Sequence, residues 1–215
     1  MTIRLGIVDD HPMVTSGLVV ALATIDDIDV VSRGSTTGHA RELLVRDDLD
    51  VVLLDVRLED GNGIQALAER GPRLRPAVLV ISSFQTSQYV AASRRYGASG
   101  FFLKTVPLTA LVDAIRTAQA GGSVFTTEQL QKGFVSLAPR EREIVRLAME
   151  GRSNKEIGAR LGMSPKTVES RLTEIYERYG ITNGRIELSL RAAHEGWLDI
   201  EPPTRHPEGT QGAAG

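Results

Sequence analysis

The stretch VVLLDVRL, residues 51–58, places an acidic side chain at the end of four consecutive apolar residues. A run this short is typical of a strand that is buried on both faces, because a buried helix needs a longer one. An aspartate at the end of such a strand costs free energy unless its charge is used there. The stretch therefore predicts a buried strand that ends at a functional carboxylate, Asp55.

Residues 1–120 contain five short apolar runs of this kind. Between the apolar runs, apolar residues recur at helical spacing, as in Val14, Leu18, Ala21 and Leu22. Buried strands that alternate with amphipathic helices predict an α/β fold, with a five-stranded parallel sheet covered on both faces. The predicted strands are IRLGIV (3–8), IDVVS (28–32), VVLL (51–54), AVLVI (77–81) and GFFL (100–103).

The remainder of the chain divides into three parts. Residues 121–135 lose the strand and helix pattern and are interpreted as a linker. Residues 136–200 show helical periods only, which predicts a compact all-α domain of four short helices. Residues 201–215 are rich in proline and glycine and have almost nothing to bury, so we expect them to be disordered.

Composition and charge narrow the function classes. The absence of cysteine excludes disulfides, thiol catalysis and cysteine-ligated metals. Residues 136–200 carry 11 Lys/Arg against 10 Asp/Glu, a balance too even to indicate a nucleic-acid partner by itself. The N-terminus is not a secretory signal, and no apolar run approaches the ~20 residues of a membrane span, so we expect a cytoplasmic protein without a membrane partner. The four histidines show no metal-ligand spacing and are interpreted as structural or exposed.

Polar side chains stand where the predicted strands end. In an open parallel sheet, ligands bind outside the carboxyl ends of the strands, at the point where the strand order reverses. If the order is 2-1-3-4-5, the first and third strands are neighbours and their carboxylates share a small volume. The residues expected at this edge are Asp9, Asp10, Asp55, Ser82 and Lys104.

Three carboxylates at one edge require a positive charge. Two such charges ~4 Å apart repel by about 4 kcal/mol at an effective dielectric constant of ~20. A hard divalent cation would neutralise them, and Mg²⁺ fits best because it binds carboxylates together with phosphate and water. Magnesium beside a carboxylate and an ammonium group is typical of phosphoryl transfer, which makes Asp55 a candidate nucleophile. Taken singly, each residue fits a helix cap, a turn or the solvent-exposed surface, and only their convergence favours a site.

Residues 1–120 resemble the receiver domain of two-component response regulators. The blocks IVDDHPMVTSGL, VVLLDVRLEDGNGIQAL, VLVISS and GASGFFLK match that family in order. The resemblance implies a flavodoxin-like (βα)5 fold and Asp55 as the phosphoacceptor. It also implies that Asp9, Asp10, Asp55 and the backbone carbonyl of Arg57 bind Mg²⁺, that Ser82 and Phe101 are the switch residues, and that Lys104 pairs with the phosphoryl group.

The segment SNKEIGARLGMSPKTVESRL, residues 153–172, predicts two helices joined by a tight turn. Ser153 and Glu156 form a capping box, Gly162 ends the first helix, and Ser164 with Pro165 begins the second. This spacing fits a DNA-binding helix-turn-helix, but it equally fits a helical hairpin within any small bundle. The even charge of the second helix slightly favours the hairpin.

Residues 136–198 resemble the LuxR-type helix-turn-helix of the NarL/FixJ class of response regulators. The resemblance rests on LAPREREIVRLAMEGRSNKEIGARLGMSPKTVESRL, residues 137–172. Glu169 stands where that class often has lysine, and Arg171 where it often has histidine, so we expect an unusual DNA site. The resemblance implies DNA contacts by Lys155, Lys166, Thr167, Glu169, Ser170, Arg171 and Thr173.

These observations together predict a DNA-binding response regulator that is not an enzyme. A sensor histidine kinase would phosphorylate Asp55, and the protein would then form a homodimer on double-stranded promoter DNA. One alternative is a regulator that binds DNA without phosphorylation, against which the full set of receiver residues argues. A less favoured alternative is an aspartyl-phosphate hydrolase of the haloacid-dehalogenase type, which would need a second aspartate at the position of Arg57.

Overall fold

The structure, a computed structural model, describes residues 2–71 and 75–200. Its first half contains a five-stranded sheet with the strand order β2-β1-β3-β6-β7, in which every neighbouring pair is parallel. The predicted α/β fold and the predicted order of the five main strands are therefore confirmed. The strands are β1 (Ile3–Val8), β2 (Ile28–Gly34), β3 (Val51–Asp55), β6 (Ala77–Ser82) and β7 (Gly100–Leu103).

The central strand β3 shows why the sheet forms. All five of its residues are buried, and successive side chains enter opposite layers. Val51 and Leu53 pack in one hydrophobic core, whereas Val52 and Leu54 pack in the other. The sheet is thus covered on both faces by helices, as an unbroken apolar strand requires. These helices are α1 (Pro12–Leu22), α2 (Thr37–Leu43), α3 (Gly63–Arg70), α4 (Ser87–Arg95) and α5 (Leu108–Gln119).

A short hairpin that the sequence pattern did not predict follows Asp55. Its two strands are β4 (Arg57–Leu58) and β5 (Gly61–Asn62), which pair antiparallel. The chain then enters α3 at Gly63, where an added Cβ would lie only 2.0 Å from the backbone oxygen of Asp55. Only glycine fits here, so the close approach of α3 to the end of β3 depends on this residue.

A short helix, α6 (Thr127–Gln131), lies within the predicted linker. Its capping box joins Thr126 and Gln129 through their side chains and backbone N–H groups. The Gln129 side chain also donates a hydrogen bond of 3.0 Å to the backbone oxygen of Phe101 on β7. Part of this segment is therefore ordered against the sheet, and the boundaries at residues 120 and 136 remain predictions.

From residue 136 to residue 200 the regular secondary structure is helical only, as expected. The core of this part surrounds Trp197, which is fully buried and tilted against Tyr179 with the ring centroids 5.0 Å apart. On α10, Leu188 and Ala192 are buried, whereas Ile186 and Leu190 remain exposed. The helices are α7 (Pro139–Met149), α8 (Asn154–Leu161), α9 (Pro165–Tyr179) and α10 (Gly184–Glu195).

The predicted helix ends in this half are confirmed. Ser153 and Glu156 form the capping box of α8, Gly162 ends it in the left-handed conformation with φ 67°, and Ser164 caps α9 ahead of Pro165. Within residues 2–71 and 75–200, no helix combines the length and the apolar character needed to cross a membrane. The predicted disordered tail, residues 201–215, lies outside the described residues.

Candidate functional site

Two acidic residues and a lysine from three strand ends meet at one edge of the sheet. Asp9 follows β1, Asp55 ends β3, and Lys104 follows β7. The Lys104 ammonium donates hydrogen bonds of 2.9 Å to Asp9 Oδ1 and 2.6 Å to Asp55 Oδ2. The convergence expected from the strand order is therefore present in the structure.

Burial makes the charges of this cluster interact strongly. Asp9 and Asp55 are only 3% and 2% exposed. Burial raises the pKa of Asp55 above its ordinary value, although the nearby Lys104 ammonium opposes this shift. Burial would lower the pKa of Lys104, but its hydrogen bonds to Asp55 and Asp9 outweigh that effect and raise it. Lys104 is thus held as the cation that balances two buried carboxylates.

His11, which the sequence analysis interpreted as structural or exposed, lies on the surface beside the cluster. Its Nδ1 atom lies 2.6 Å from Asp10 Oδ1, 3.4 Å from Asp9 Oδ1 and 3.9 Å from Asp55 Oδ2. Its side chain is half exposed, so it covers the cluster from the solvent side. In the sequence, only the adjacency Asp9-Asp10-His11 could have indicated that His11 lies at this site. A search for regularly spaced metal ligands could not find it, because the site is assembled from the ends of separate strands.

The donor set fits a divalent cation. One ligand atom from each of Asp9, Asp10, His11 and Asp55 lies within 4.8 Å of the others. The buried oxygens Asp9 Oδ2 and Asp10 Oδ1 accept no hydrogen bond from the described residues, although Lys104 Nζ lies 2.8 Å from the first and His11 Nδ1 lies 2.6 Å from the second. Ligands of one octahedral ion at ~2.1 Å stand ~3–4 Å apart, so these atoms need only small shifts to bind a cation.

A pocket of about 340 Å³ opens beside the cluster. Ser82 lies in its wall, and the Ser82 hydroxyl oxygen accepts a hydrogen bond of 3.2 Å from the Phe84 N–H. The Arg57 guanidinium stands 5.1 Å from the centre of the Phe84 ring, which forms another part of the rim. The Arg57 N–H also donates to Asp55 Oδ1 at 3.3 Å. The pocket is thus large enough for a phosphoryl group beside Asp55.

Phe101, the second predicted switch residue, is buried in the receiver core. It is 1% exposed, belongs to the core on the α2–α4 face of the sheet, and pairs with Val80 across β6 and β7. Its backbone oxygen accepts the hydrogen bond from Gln129 of α6. A movement of Phe101 would therefore reach the segment between the two halves of the chain.

The predicted DNA-contacting residues lie on the surface of α8 and α9. Thr167 also takes part in the cap of α9, since its hydroxyl lies 2.7 Å from the Ser164 hydroxyl. The Arg171 guanidinium donates to Glu174 Oε2 at 2.9 Å, which balances part of its charge. Whether they touch DNA stays a prediction. All seven are exposed: Lys155, Lys166, Thr167, Glu169, Ser170, Arg171 and Thr173.

Comparison with known families identifies both halves. Residues 5–116 match the response regulator receiver domain, and residues 135–189 match the bacterial regulatory proteins of the luxR family. The chain belongs to the NarL/LuxR family of response regulators. It is therefore a DNA-binding response regulator of the two-component systems, with a receiver domain followed by a helix-turn-helix domain.

Several relatives match nearly the whole regulator. It is 33% identical to the transcriptional regulatory protein MctR of Rhizobium johnstonii over 84% of this chain and 88% of MctR. It is 32% identical to the transcriptional regulatory protein LiaR of Bacillus subtilis, over 84% of this chain and 92% of LiaR. These relatives place the regulator in a family of transcription regulators, whose members are not typically enzymes.

Solved structures agree with this assignment. RcsB of Salmonella typhimurium matches with a TM-score of 0.64 and 26% identity, over 89% of this chain and all of the RcsB chain. A structure of two RcsB dimers bound to two parallel DNAs matches with a TM-score of 0.62 and 25% identity, over 90% of this chain and 99% of that chain. Receiver domains bind Mg²⁺ at an acidic cluster, and this regulator has such a cluster.

Proposed function

We propose that a sensor histidine kinase phosphorylates this regulator on Asp55 and that the phosphoryl group switches dimerisation and promoter binding. The observation that carries the proposal is the Lys104 ammonium, which joins Asp9 and Asp55 in a buried cluster beside a pocket. A buried carboxylate that faces an open pocket and a fixed cation is suited to receive a phosphoryl group.

The transfer is a substitution at phosphorus. An Asp55 carboxylate oxygen forms the new P–O bond while the P–N bond to the kinase histidine breaks, and the histidine nitrogen keeps the electron pair. Lys104 stabilises the anionic form of Asp55 before transfer and the phosphoryl oxygens after it. Asp9, Asp10, Asp55 and the Arg57 carbonyl would hold Mg²⁺, which when bound neutralises charge on the phosphoryl oxygens.

Ser82 and Phe101 would convert the phosphoryl group into a conformational change. Phosphorylation adds about 1.5–2 negative charges at Asp55, and these attract the Ser82 hydroxyl, which lies in the wall of the same pocket. Moving Ser82 changes the end of β6, and Phe101 occupies the adjacent strand β7. A shift from mostly inactive to mostly active requires about 5.5 kcal/mol of differential stabilisation.

The helix-turn-helix would place α9 in the major groove of promoter DNA. Lys155, Lys166 and Thr167 would lie at phosphates, and Glu169, Ser170, Arg171 and Thr173 would face the bases, which their exposure supports. A groove-facing carboxylate such as Glu169 repels phosphate but can accept from the cytosine amino group.

A homodimer would compensate for the small positive charge of one helix-turn-helix domain. Two copies bring two recognition helices to sites about one DNA turn apart, so that their contacts act together. The exposed apolar side chains of Ile186 (75%) and Leu190 (66%) on α10 support an additional contact between copies. Because the proposed partner is promoter DNA, the protein would work in the cytoplasm.

Replacing Asp55 tests the proposal. We expect Asp55→Asn to abolish incorporation of phosphoryl from labelled acetyl phosphate with Mg²⁺, whereas Asp47→Asn, at an exposed aspartate outside the cluster, should retain it. Labelling that persists in Asp55→Asn would show that the acceptor is another residue. Steady release of phosphate from a small phosphoester would instead support a hydrolase. DNA affinity unchanged by acetyl phosphate would support a phosphorylation-independent regulator.

A further inference from the structure

The last described segment of the chain, residues 197–200, is held firmly by the helix-turn-helix domain. The Arg142 side chain on α7 donates hydrogen bonds to three backbone oxygens of this segment, those of Trp197 (3.2 Å), Leu198 (2.6 Å) and Ile200 (2.8 Å). The Trp197 side chain is fully buried in the core of the same domain. The segment therefore moves with the helix-turn-helix domain as one body.

The same segment is also bonded to the receiver domain. The Tyr89 hydroxyl on α4 donates a hydrogen bond of 2.7 Å to Asp199 Oδ2, and the Asn62 amide donates one of 3.2 Å to the Asp199 backbone oxygen. Ile200 is 1% exposed and packs in the receiver core that contains Tyr89. Burial, and then the Asp199 carboxylate, raise the pKa of Tyr89 to about 12, so its hydroxyl remains a donor.

Both receiver partners follow directly on elements that line the phosphoacceptor pocket. Asn62 pairs with Arg57 in the hairpin after Asp55. Tyr89 lies in the first turn of α4, and the loop that leads to this turn starts at Ser82 and contains Phe84. A displacement of either wall of the pocket therefore moves a hydrogen-bond partner of Asp199.

The contact leaves the recognition helix uncovered. Lys166, Glu169 and Arg171 are exposed in the full chain, with the receiver domain in place. The contact therefore does not work by covering the DNA-facing surface. Its effect is on orientation, because it fixes the helix-turn-helix domain against one side of the receiver.

We propose that residues 197–200 are a latch that fixes the orientation of the helix-turn-helix domain and opens when Asp55 is phosphorylated. The inference rests on the proposed function, since it names the regulation of the same site. Attraction of Ser82 to the phosphoryl group would draw the loop before α4 and displace Tyr89 from Asp199. Coupling of this kind is reciprocal, so opening the latch must also favour binding of a phosphoryl group at Asp55.

The lack of cysteine allows a direct distance measurement. Spin labels are attached at Asp113→Cys on α5 and Arg160→Cys on α8, which are both exposed. The distance between the two labels, measured by pulsed electron paramagnetic resonance, reports the separation of the domains. We expect one narrow distance in the metal-loaded regulator and a second, broader population when beryllium fluoride is added as the phosphoryl mimic. Tyr89→Phe and Asp199→Ala should each raise the open-to-closed ratio without the mimic about fivefold, the factor for one hydrogen bond.

Tyr96→Phe is the matched control for Tyr89→Phe. Tyr96 follows the same helix, and its buried hydroxyl has no hydrogen-bond partner among the described residues. We expect this variant to keep the wild-type distance distribution. Tyr89→Phe should also tighten beryllium fluoride binding, measured by ¹⁹F NMR, by the factor by which it raises the open population.

The outcomes separate the latch from the function on which it rests. If the mimic binds but the distances stay unchanged, the latch is wrong and the proposed phosphorylation survives. Distances that do not respond to Tyr89→Phe or Asp199→Ala would also overturn the latch. A regulator that binds neither the mimic nor phosphoryl from acetyl phosphate would overturn both proposals.

Discussion

The edge of the receiver sheet around Asp55 (the receiver edge) and helix α9 (the recognition helix) both carry charges of two signs, but in opposite surroundings. Asp9 and Asp55 are almost fully buried, and the Lys104 side chain between them is 9% exposed. On α9, the Arg171 and Glu174 side chains are 52% and 47% exposed. Two charges ~4 Å apart interact by about 1 kcal/mol in water and by about 4 kcal/mol at an effective dielectric constant of ~20. The receiver edge therefore senses one added charge strongly, whereas the recognition helix must combine many weak contacts.

This difference predicts that the receiver edge is intolerant of small steric changes. In Gly63→Ala the new Cβ would meet the Asp55 backbone oxygen at 2.0 Å, so α3 or the end of β3 must move. We expect the receiver domain to lose about 2–3 kcal/mol of unfolding free energy. We also expect phosphoryl uptake to fall several-fold, although no side chain of the cluster is changed. Denaturant unfolding and acetyl phosphate labelling measure the two effects.

Gly17→Ala is the control for Gly63→Ala. An added Cβ at Gly17, inside α1, meets nothing within 4 Å. We expect this variant to be stabilised by about 0.5–1 kcal/mol, because alanine favours the helix more than glycine does. Equal losses in both variants would show that the close approach at Asp55 is not the cause.

The position of His11 tests which cation the acidic cluster prefers. A ring nitrogen suits Mn²⁺ better than Mg²⁺, which prefers oxygen ligands. We expect His11→Phe to weaken Mn²⁺ binding about tenfold and Mg²⁺ binding by about threefold or less. Calorimetric titration with each ion measures this, and His194→Phe, at an exposed histidine of α10, is the control. An equal loss for both ions would mean that His11 does not bind the cation.

The ion pair of Arg178 and Glu141 in the helix-turn-helix domain is partly buried, so it tests whether burial rather than location sets the strength of a charge interaction. Arg178 donates hydrogen bonds of 3.0 and 2.9 Å to the Glu141 carboxylate, which is 10% exposed. Burial would raise the pKa of Glu141, but the hydrogen bonds from Arg178 and the Ala138 N–H lower it below its usual value. Because the folded-state pKa is lowered, the stabilisation is present above pH ~4.5 and is lost as the pH falls through the folded-state pKa.

Arg178→Gln should remove that stabilisation. We expect a loss of about 1 kcal/mol at pH 7, since the arginine is 44% exposed and solvent screens the pair. The loss should shrink as the pH falls below ~4.5, where thermal unfolding of variant and wild type converge. Arg160→Gln, which removes an exposed arginine without an ion pair among the described residues, should change neither quantity. A pH-independent loss would attribute the effect to packing of the arginine stem instead.

The same contrast explains how far the sequence could predict the structure. The five main strands begin where the apolar runs begin, because a buried apolar run is a local property of the sequence. The ends of β1, β3, β6 and β7 bring the expected residues together, because the strand order follows from the topology of the fold. The hairpin after Asp55, the position of His11 and the contact of Asp199 with Tyr89 were not predictable. Each depends on residues that are distant in sequence or on a turn without a residue pattern.

The recognition helix gives the smallest expected effect, and it tests the weak side of the comparison. Glu169 is exposed on the N-terminal half of α9, so Glu169→Lys replaces a repulsion of DNA phosphates by an attraction. We expect a rise in DNA affinity of a few-fold at moderate salt, and an increase of about 0.9 in the salt-dependence slope for each new phosphate contact. Glu177→Lys makes the same charge change at the C-terminal end of α9, farther from the predicted groove-facing residues, and should alter affinity without a new contact. DNA titrations at several salt concentrations distinguish a new phosphate contact from a general charge effect. A general charge effect would give both variants the same salt-dependence slope, whereas a groove-facing residue 169 would steepen the slope of Glu169→Lys only.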